Sequence, residues 1–464
     1  MYYRPNKKSV CADVIPYYKN GIYYLYYLKD YRDIEKHGEG VSWFLLKTKD
    51  FVNYKECGEI LPKGSKDDHD LYVFTGSIIE KDNKYYIFYT GHNPHLVEKN
   101  KPQQVVLLAV GDSLRKYKKT DFMLKMENDD YEIHDFRDPF VYKDGDMYKM
   151  LLTCRKKNGP FLRRGVTLSY ESKDLLNWQL EKEFYAPNNY YAHECPDLFK
   201  MGDWWYLVFS EFSDNTATKY RMCKNLGDEW ITPKVDTFDA RCFYAAKTVS
   251  NGDKRYIIGW ISTKEDEIDE KGWQWGGSIA VHEIIQNEDG TLSVINLEDV
   301  RNQYIEEIEL KETVNEARYE KRNKEYHLKK GGYSYILFNE LPKNGRITCK
   351  IKTKEKVGDF GFALRMDLEY NKGYYVKFNT KHNRMCFTKN FRQGDNPYEN
   401  NSERFIEIAD GKEHFVEIMI EDTIVIVYVD GVAMSHRLYE HREGAFGIYV
   451  NDTEAWFSDI RIYK

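Results

Sequence analysis

The sequence predicts an all-β protein: a five-bladed β-propeller over residues 1–296, a linker at 297–322, and a C-terminal β-sandwich domain over residues 323–464. Three observations carry this reading: a hairpin pattern that recurs five times, a change of texture near residue 297, and a second set of period-two runs beyond it. The 464-residue length exceeds what one hydrophobic core serves, and aromatic residues make up 16% of the chain, which suits pleated strands and surfaces that stack on sugars.

The recurring unit is a strand, a turn rich in Lys, Asp, Asn and Gly, and a second aromatic strand. It reads DVIPYYKNGIYYLYYL from Asp13, SIIEKDNKYYIFYTG from Ser77 and DPFVYKDGDMYKMLLT from Asp138. PDLFKMGDWWYLVFSE from Pro196 and KTVSNGDKRYIIGWIS from Lys247 complete the set. Turn pairs such as Asn-Gly and Asp-Gly between Tyr-, Phe-, Val- and Ile-rich flanks mark each as a hairpin. A second signal lies inside the units, where TKDFVNY, GDSLRKY and SKDLLNW place Asp50, Asp112 and Asp174 at an even spacing of 62 residues. Units of this size, each rich in strands, match propeller blades better than a sandwich or a solenoid.

Residues 297–322 are charged and free of Gly and Pro, the texture of a linker with one helix or an edge strand. Beyond them come YSYILFNEL from Tyr333, GRITCKIKTK from Gly345, FGFALRMDL from Phe360, HFVEIMIEDTIVIVYVDG from His414 and FGIYVN from Phe446. These alternate with period two between turn residues, as the strands of a sandwich do.

A formal net charge of -6 gives no broad basic field, so nucleic acid and anionic lipid are not the expected partners; a small neutral or mildly polar molecule is. Met1 to Val10 hold no apolar run of signal-peptide length, and no later stretch approaches a membrane span, so a cytoplasmic location is expected. The eight Cys stand singly with no metal-type spacing, which predicts reduced thiols, no metal and no cofactor. A homo-oligomer is left open.

Three acids stand out. Asp13 and Asp138 open the first hairpin strands of the first and third units, and Glu194 directly precedes that of the fourth. Acids at matching ends of innermost propeller strands converge on one pocket. Converging carboxyls are what glycosidic cleavage uses, one as nucleophile or base and one as acid. An Asp ahead of a strand is also an ordinary turn residue or cap. His92, His95 and His193 are read as structural.

At these residues the chain resembles glycoside hydrolase family 32, the invertases, fructanases and sucrose-6-phosphate hydrolases. The marks are Arg137-Asp138-Pro139, Glu194-Cys195-Pro196-Asp197, Phe74-Thr75-Gly76-Ser77, Asp239 with Phe243-Tyr244-Ala245-Ala246-Lys247, and the Gly272-Trp273-Gln274-Trp275-Gly276-Gly277 segment. The resemblance implies a retaining enzyme that releases fructose from β-fructofuranosides (sucrose, fructo-oligosaccharides, inulin or levan) through a covalent fructosyl-enzyme. Asp13 would be the nucleophile, Glu194 the general acid/base and Asp138 the transition-state stabiliser. Arg137, Trp43, Phe74, Ser77, Asp239, Tyr244, Lys247 and Trp273 would bind the fructoside, with Trp275 a further stacking candidate. The family's usual first motif, Trp-Met-Asn-Asp-Pro-Asn-Gly, is here Val10-Cys11-Ala12-Asp13-Val14-Ile15-Pro16, which keeps the Asp and changes its company.

That change leaves the exact fructoside open and brings in a second reaction, fructosyl transfer or difructose-anhydride formation through the same intermediate. Two further alternatives are a non-enzymatic sugar-binding propeller and an inverting relative acting on arabinosides or xylosides.

Overall fold

The computed structural model describes every residue except Lys7, Lys330 and 391–401. The described chain is almost entirely strand. Its first part is a succession of antiparallel meanders over residues 9–61, 72–124, 131–185, 194–223 and 243–295. The innermost strands are Ser9–Lys19, Tyr72–Lys81, Tyr131–Asp144, Glu194–Met201 and Phe243–Ser250. Each touches the next, and the last touches the first, so the meanders form a closed ring. Cys11 pairs with Gly277 where the first and last meanders meet. This is the arrangement of a β-propeller.

Local chemistry explains the hairpins. Asn20-Gly21 and Asp82-Asn83 take positive φ at both central residues, the geometry of a type I′ turn that matches strand twist. Two of the repeated aspartates are caps. Asp50 Oδ1 accepts from the Val52 and Asn53 amides at 2.9 and 2.8 Å, and Asp174 Oδ1 from the Leu176 and Asn177 amides at 2.8 Å each.

The second domain is a sandwich of two sheets. Phe360, Phe362, Phe378 and Ile448 of one sheet meet Ile347, Ile418, Val427 and Phe457 of the other in an apolar core. Part of the expected linker belongs to this domain. Residues 297–322 hold a one-turn helix, Glu298–Arg301, and then Glu307–Ile308, Glu312–Glu316 and Tyr319–Arg322, which pair into the sandwich sheets. These are short, exposed strands at or near sheet edges, where polar residues are tolerated and the period-two signal fades.

The two domains are joined through the sheet that carries Met419, Ile424, Ile426, Tyr428 and Ala433, whose side chains enter the propeller's core cluster. Arg437 is buried in that joint and donates to the carbonyls of Ile261 and Ser262 at 2.8 and 2.9 Å. No described helix is long and apolar enough to cross a membrane.

Candidate active site

Every innermost propeller strand breaks its ladder at a matching place, next to Asp13, Thr75, Asp138, Cys195 and Ala245, and the third has a second break nearer its start. A bulge of this kind turns consecutive side chains away from strict alternation and re-aims them. Asp138, Cys195 and Ala245 accordingly take φ of 58°, 53° and 50°, uncommon for residues with a Cβ. The bulged residues form one ring around the channel, and the residues before them (Ala12, Phe74, Arg137, Glu194 and Tyr244) form a second.

This corrects one feature of the sequence reading. Asp13 and Asp138 are equivalent, but the residue equivalent to them in the fourth meander is Cys195, and Glu194 stands one position earlier. The two aspartates therefore share a ring, while Glu194 shares its ring with Arg137 and Tyr244.

The resulting contacts are dense. Asp13 Oδ2 accepts a hydrogen bond from the Thr75 hydroxyl, and its Oδ1 accepts from Trp260 Nε1 at 3.1 Å. The Cys195 thiol lies 3.9 Å from Asp13 Oδ2 and 3.8 Å from the Thr75 hydroxyl, and the Cys195 amide donates to Asp138 Oδ2 at 2.9 Å. Glu194 is held at both oxygens: Arg137 Nη2 donates to Oε1 at 3.2 Å and the Tyr244 hydroxyl to Oε2 at 2.6 Å. Arg137 also contacts Asp135 at 2.8 Å, Asp138 at 3.8 Å and Gln104 at 3.3 Å.

The electrostatics follow from burial and crowding of like charges. Burial raises the Glu194 pKa; Arg137 opposes this, Asp138 and Asp13 add to it, and Tyr244 opposes it. Burial raises Asp13 as well, against the Thr75 bond and together with Asp138. Burial alone would lower the Arg137 guanidinium, but Glu194, Asp138 and Asp135 hold it protonated far above its ordinary range. Burial keeps Cys195 a neutral thiol. Two buried carboxyls facing one cavity, one protonated and one ionised, can deliver a proton and a nucleophile to the two ends of one bond.

Asp13, Glu194, Asp138, Arg137, Phe74, Tyr244 and Trp273 all face one cavity of about 450 Å³, together with Trp275. Phe74 and Trp275 make one wall, with ring centroids 5.9 Å apart. Gly276, at φ 74°, has no room for a Cβ, which would lie 2.8 Å from Val10 Cγ2, and this brings the Trp273–Trp275 segment against the Asp13 strand.

Four expected sugar-binding residues lie elsewhere. Trp43 is fully buried, and its indole N–H donates to the Phe74 carbonyl at 3.1 Å, so it supports the wall from behind. Ser77 accepts from the Val141 amide at 2.9 Å and Lys247 donates to the Pro196 carbonyl at 2.9 Å; beyond the bulge, both stitch neighbouring meanders together. Asp239 belongs to the domain joint, accepting from the Ser435 amide at 2.7 Å and contacting His282 Nε2 at 3.0 Å.

Sequence reasoning passed over Thr75, Gln104, Asp135, Cys195, Trp260 and Arg241. All but Thr75 line the cavity, and Thr75 bonds Asp13. Thr75 and Cys195 were visible as partners of already quoted motifs, whereas Gln104 opens the third strand of its meander and Trp260 sits in the second strand of the fifth hairpin, where only the strand pattern, and no acid or Gly-Pro mark, draws notice. Among the described residues no group of three or more His, Cys, Asp or Glu is placed to hold a metal ion.

Comparison with known proteins decides the family. The model of the Glycosyl hydrolases family 32 N-terminal domain matches residues 11–294. The chain belongs to glycoside hydrolase family 32. A second model, the GH32, BT1760-like, C-terminal domain, matches residues 290–462. Family 32 relatives include a sucrose-6-phosphate hydrolase of Vibrio alginolyticus, 28% identical over 57% of this chain and 57% of its own length. A sucrose-6-phosphate hydrolase of Staphylococcus xylosus is 24% identical over 54% of this chain and 52% of its own length. The chain thus spans little more than half the length of these curated relatives. A levanbiose-producing levanase of Geobacillus stearothermophilus is 24% identical over 61% of this chain and 74% of its own. Among solved structures, sucrose-6-phosphate hydrolase from Lactobacillus gasseri superposes with a TM-score of 0.76 at 18% identity, covering 100% of this chain and 92% of that one. Exo-inulinase from Aspergillus awamori gives 0.74 at 17% identity, covering 100% and 97%. At these identities the structural matches speak for the family 32 propeller-plus-sandwich fold.

Proposed function

We propose that this family 32 chain is a retaining β-fructofuranosidase that releases fructose from sucrose, fructo-oligosaccharides, inulin or levan. The observation that carries the reading is Glu194, held by Arg137 and Tyr244, facing the same cavity as an Asp13 that Thr75 and Trp260 orient. The names of the relatives agree in naming sucrose-phosphate and fructan substrates.

In the first step an Asp13 oxygen bonds to the anomeric carbon of the fructosyl unit. The bond to the leaving oxygen breaks, and that oxygen takes the Glu194 proton. In the second, Glu194 as carboxylate takes a proton from water while the water oxygen displaces Asp13. Asp138, fixed by the Cys195 amide, accepts hydrogen bonds from sugar hydroxyls, and Phe74, Trp273 and Trp275 stack on the apolar faces of the sugar.

The test is a panel of sucrose, 1-kestose, inulin and levan with products identified and the first-formed anomer read by NMR. Initial release of β-fructose supports the reading. Inverted product would overturn it, and longer or cyclised products at high sugar concentration would move the activity to fructosyl transfer.

A further inference from the structure

Beyond the propeller, the sandwich carries a cavity of its own. It measures about 300 Å³, at the lower end of small-molecule sites, and is lined by Tyr333, Tyr370, Tyr375, Tyr449, Asp359 and Asn390 among others. It shares no residue with the cavity that holds Asp13.

This cavity sits on the outer face of the sheet whose inner face supplies Phe360, Phe362, Phe378 and Ile448 to the core. The alternation of the strands places Tyr333, Tyr335, Tyr375, Tyr449 and Asn451 on the opposite side. The other sheet is covered by the propeller through Met419, Ile424 and Tyr428, whereas the small cluster around Tyr370, Tyr375 and Tyr449 contains sandwich residues alone. The tyrosines on this face therefore complete neither the sandwich core nor the domain joint.

The hollow has a simple origin. Gly361 lies in register between Tyr449 and Lys377, and Ala363 between Gly447 and Tyr375, so a floor with little or no side chain is rimmed by large ones. The rim is ordered by its own contacts. Tyr335 stacks on Tyr370 at 3.8 Å, Tyr333 lies 5.6 Å from Tyr449 with nearly parallel rings, and Tyr375 meets Tyr449 edge-on at 5.3 Å. The Tyr333 hydroxyl donates to that of Tyr370 at 3.1 Å, Asn390 Nδ2 to the Tyr375 hydroxyl at 3.2 Å, and Asn451 Nδ2 to Asp359 Oδ2 at 3.1 Å. Tyr333 nonetheless stays 46% exposed, which presents an aromatic edge to solvent beside polar groups.

We propose that this tyrosine-lined cavity is a second carbohydrate-binding site, which holds one neutral sugar unit of a longer glycan while the propeller acts on another. Aromatic rings offer apolar area for the C–H faces of a sugar, and phenol, amide and carboxylate groups meet its hydroxyls. Burial raises the phenols of Tyr333, Tyr370, Tyr375 and Tyr449, so they remain neutral donors, and the one acid and one base on the lining, Asp359 and Lys377, give it no net sign. The choice of fructans as first probes rests on the proposed fructosidase activity; the site itself does not.

Native gel electrophoresis of the full chain carrying Asp13→Asn, run through levan, inulin and dextran, tests the site. The expected result is retardation by at least one polymer. Tyr333→Ala should weaken it about tenfold and Tyr333→Phe much less, in line with the loss of one stacking ring. With Asp13 restored, both variants should turn over sucrose at the parent rate, which also reports that they are folded. Retardation by dextran alone would support the site while counting against fructan as its ligand. The proposal is overturned if no polymer retards the protein, if Tyr333→Ala leaves retardation intact, or if that variant instead changes the oligomeric state on size exclusion. Should no fructoside be hydrolysed at all, melting curves replace turnover as the folding control and the gels still decide the binding site.

Discussion

Tyr244 donates its hydroxyl to Glu194 Oε2 at 2.6 Å, across the boundary between the fourth and fifth meanders. The bond stabilises the ionised carboxylate and so works against the burial that raises the Glu194 pKa. Tyr244→Phe removes the donor, and the Glu194 pKa rises further. The basic limb of the kcat/KM profile, which reports loss of the acid's proton, should move to higher pH, while kcat near neutrality falls roughly tenfold. An unmoved basic limb, read from a pH series on sucrose, would remove Tyr244 from control of the acid.

Asp13→Asn should lower turnover about a thousandfold or more, yet raise the melting temperature at neutral pH. The sign follows from burial, which raises the Asp13 pKa in the fold. Such a group contributes its stability when protonated, below its unfolded value, and loses it as pH rises through the folded value. The neutral amide escapes that loss. The gain should therefore be largest near pH 7 and vanish towards about pH 4 in calorimetric scans.

Arg137 is the counter-charge to Asp135, Asp138 and Glu194. Arg137→Met leaves three crowded carboxylates without it, and the fold should lose about 3–5 kcal/mol in urea titrations. Arg137→Lys keeps the charge but loses the fork, so it should retain most of the stability while kcat/KM drops.

At the domain joint, Asp239 is ionised in the interior because bonds from His282 and Ser435 outweigh the upward push of burial. Asp239→Ala should cost about 3 kcal/mol and leave KM for fructosides unchanged. A large rise in KM with little loss of stability would return Asp239 to the sugar-binding residues. Because its pKa is depressed, the parent's advantage over the variant is present above the unfolded carboxyl pKa and shrinks as pH falls through the folded one.

The meanders were legible because turn pairs such as Asn20-Gly21 and aromatic strands repeat in the sequence. Asp13, Asp138 and Glu194 were legible because each stands beside the recurring hairpin pattern, although Asp13 and Asp138 lie inside strands that begin earlier than the pattern shows, at Ser9 and Tyr131, and only Glu194 begins its strand. What stayed hidden is register. A single bulged residue separates Glu194 from the position of Asp138, and a count along the chain does not reveal it. Ser77 and Lys247 stood in familiar segments, but the same bulges turn them towards neighbouring meanders. Asp239 needed the second domain to show its partners, Ser435 and His282. The outward tyrosines of the sandwich were masked because a period-two strand reads alike whichever face is buried.

The closed ring also sets the order in which the protein becomes competent. Trp260 reaches Asp13 across 247 residues of chain, and Cys11 meets Gly277 only when the ends of the propeller come together. Hairpins with local contacts form early, and contacts of such sequence separation form late. Native-like circular dichroism should therefore return well before activity on dilution from denaturant, and a ring arrested with one meander undocked would be well stocked with sheet and catalytically silent.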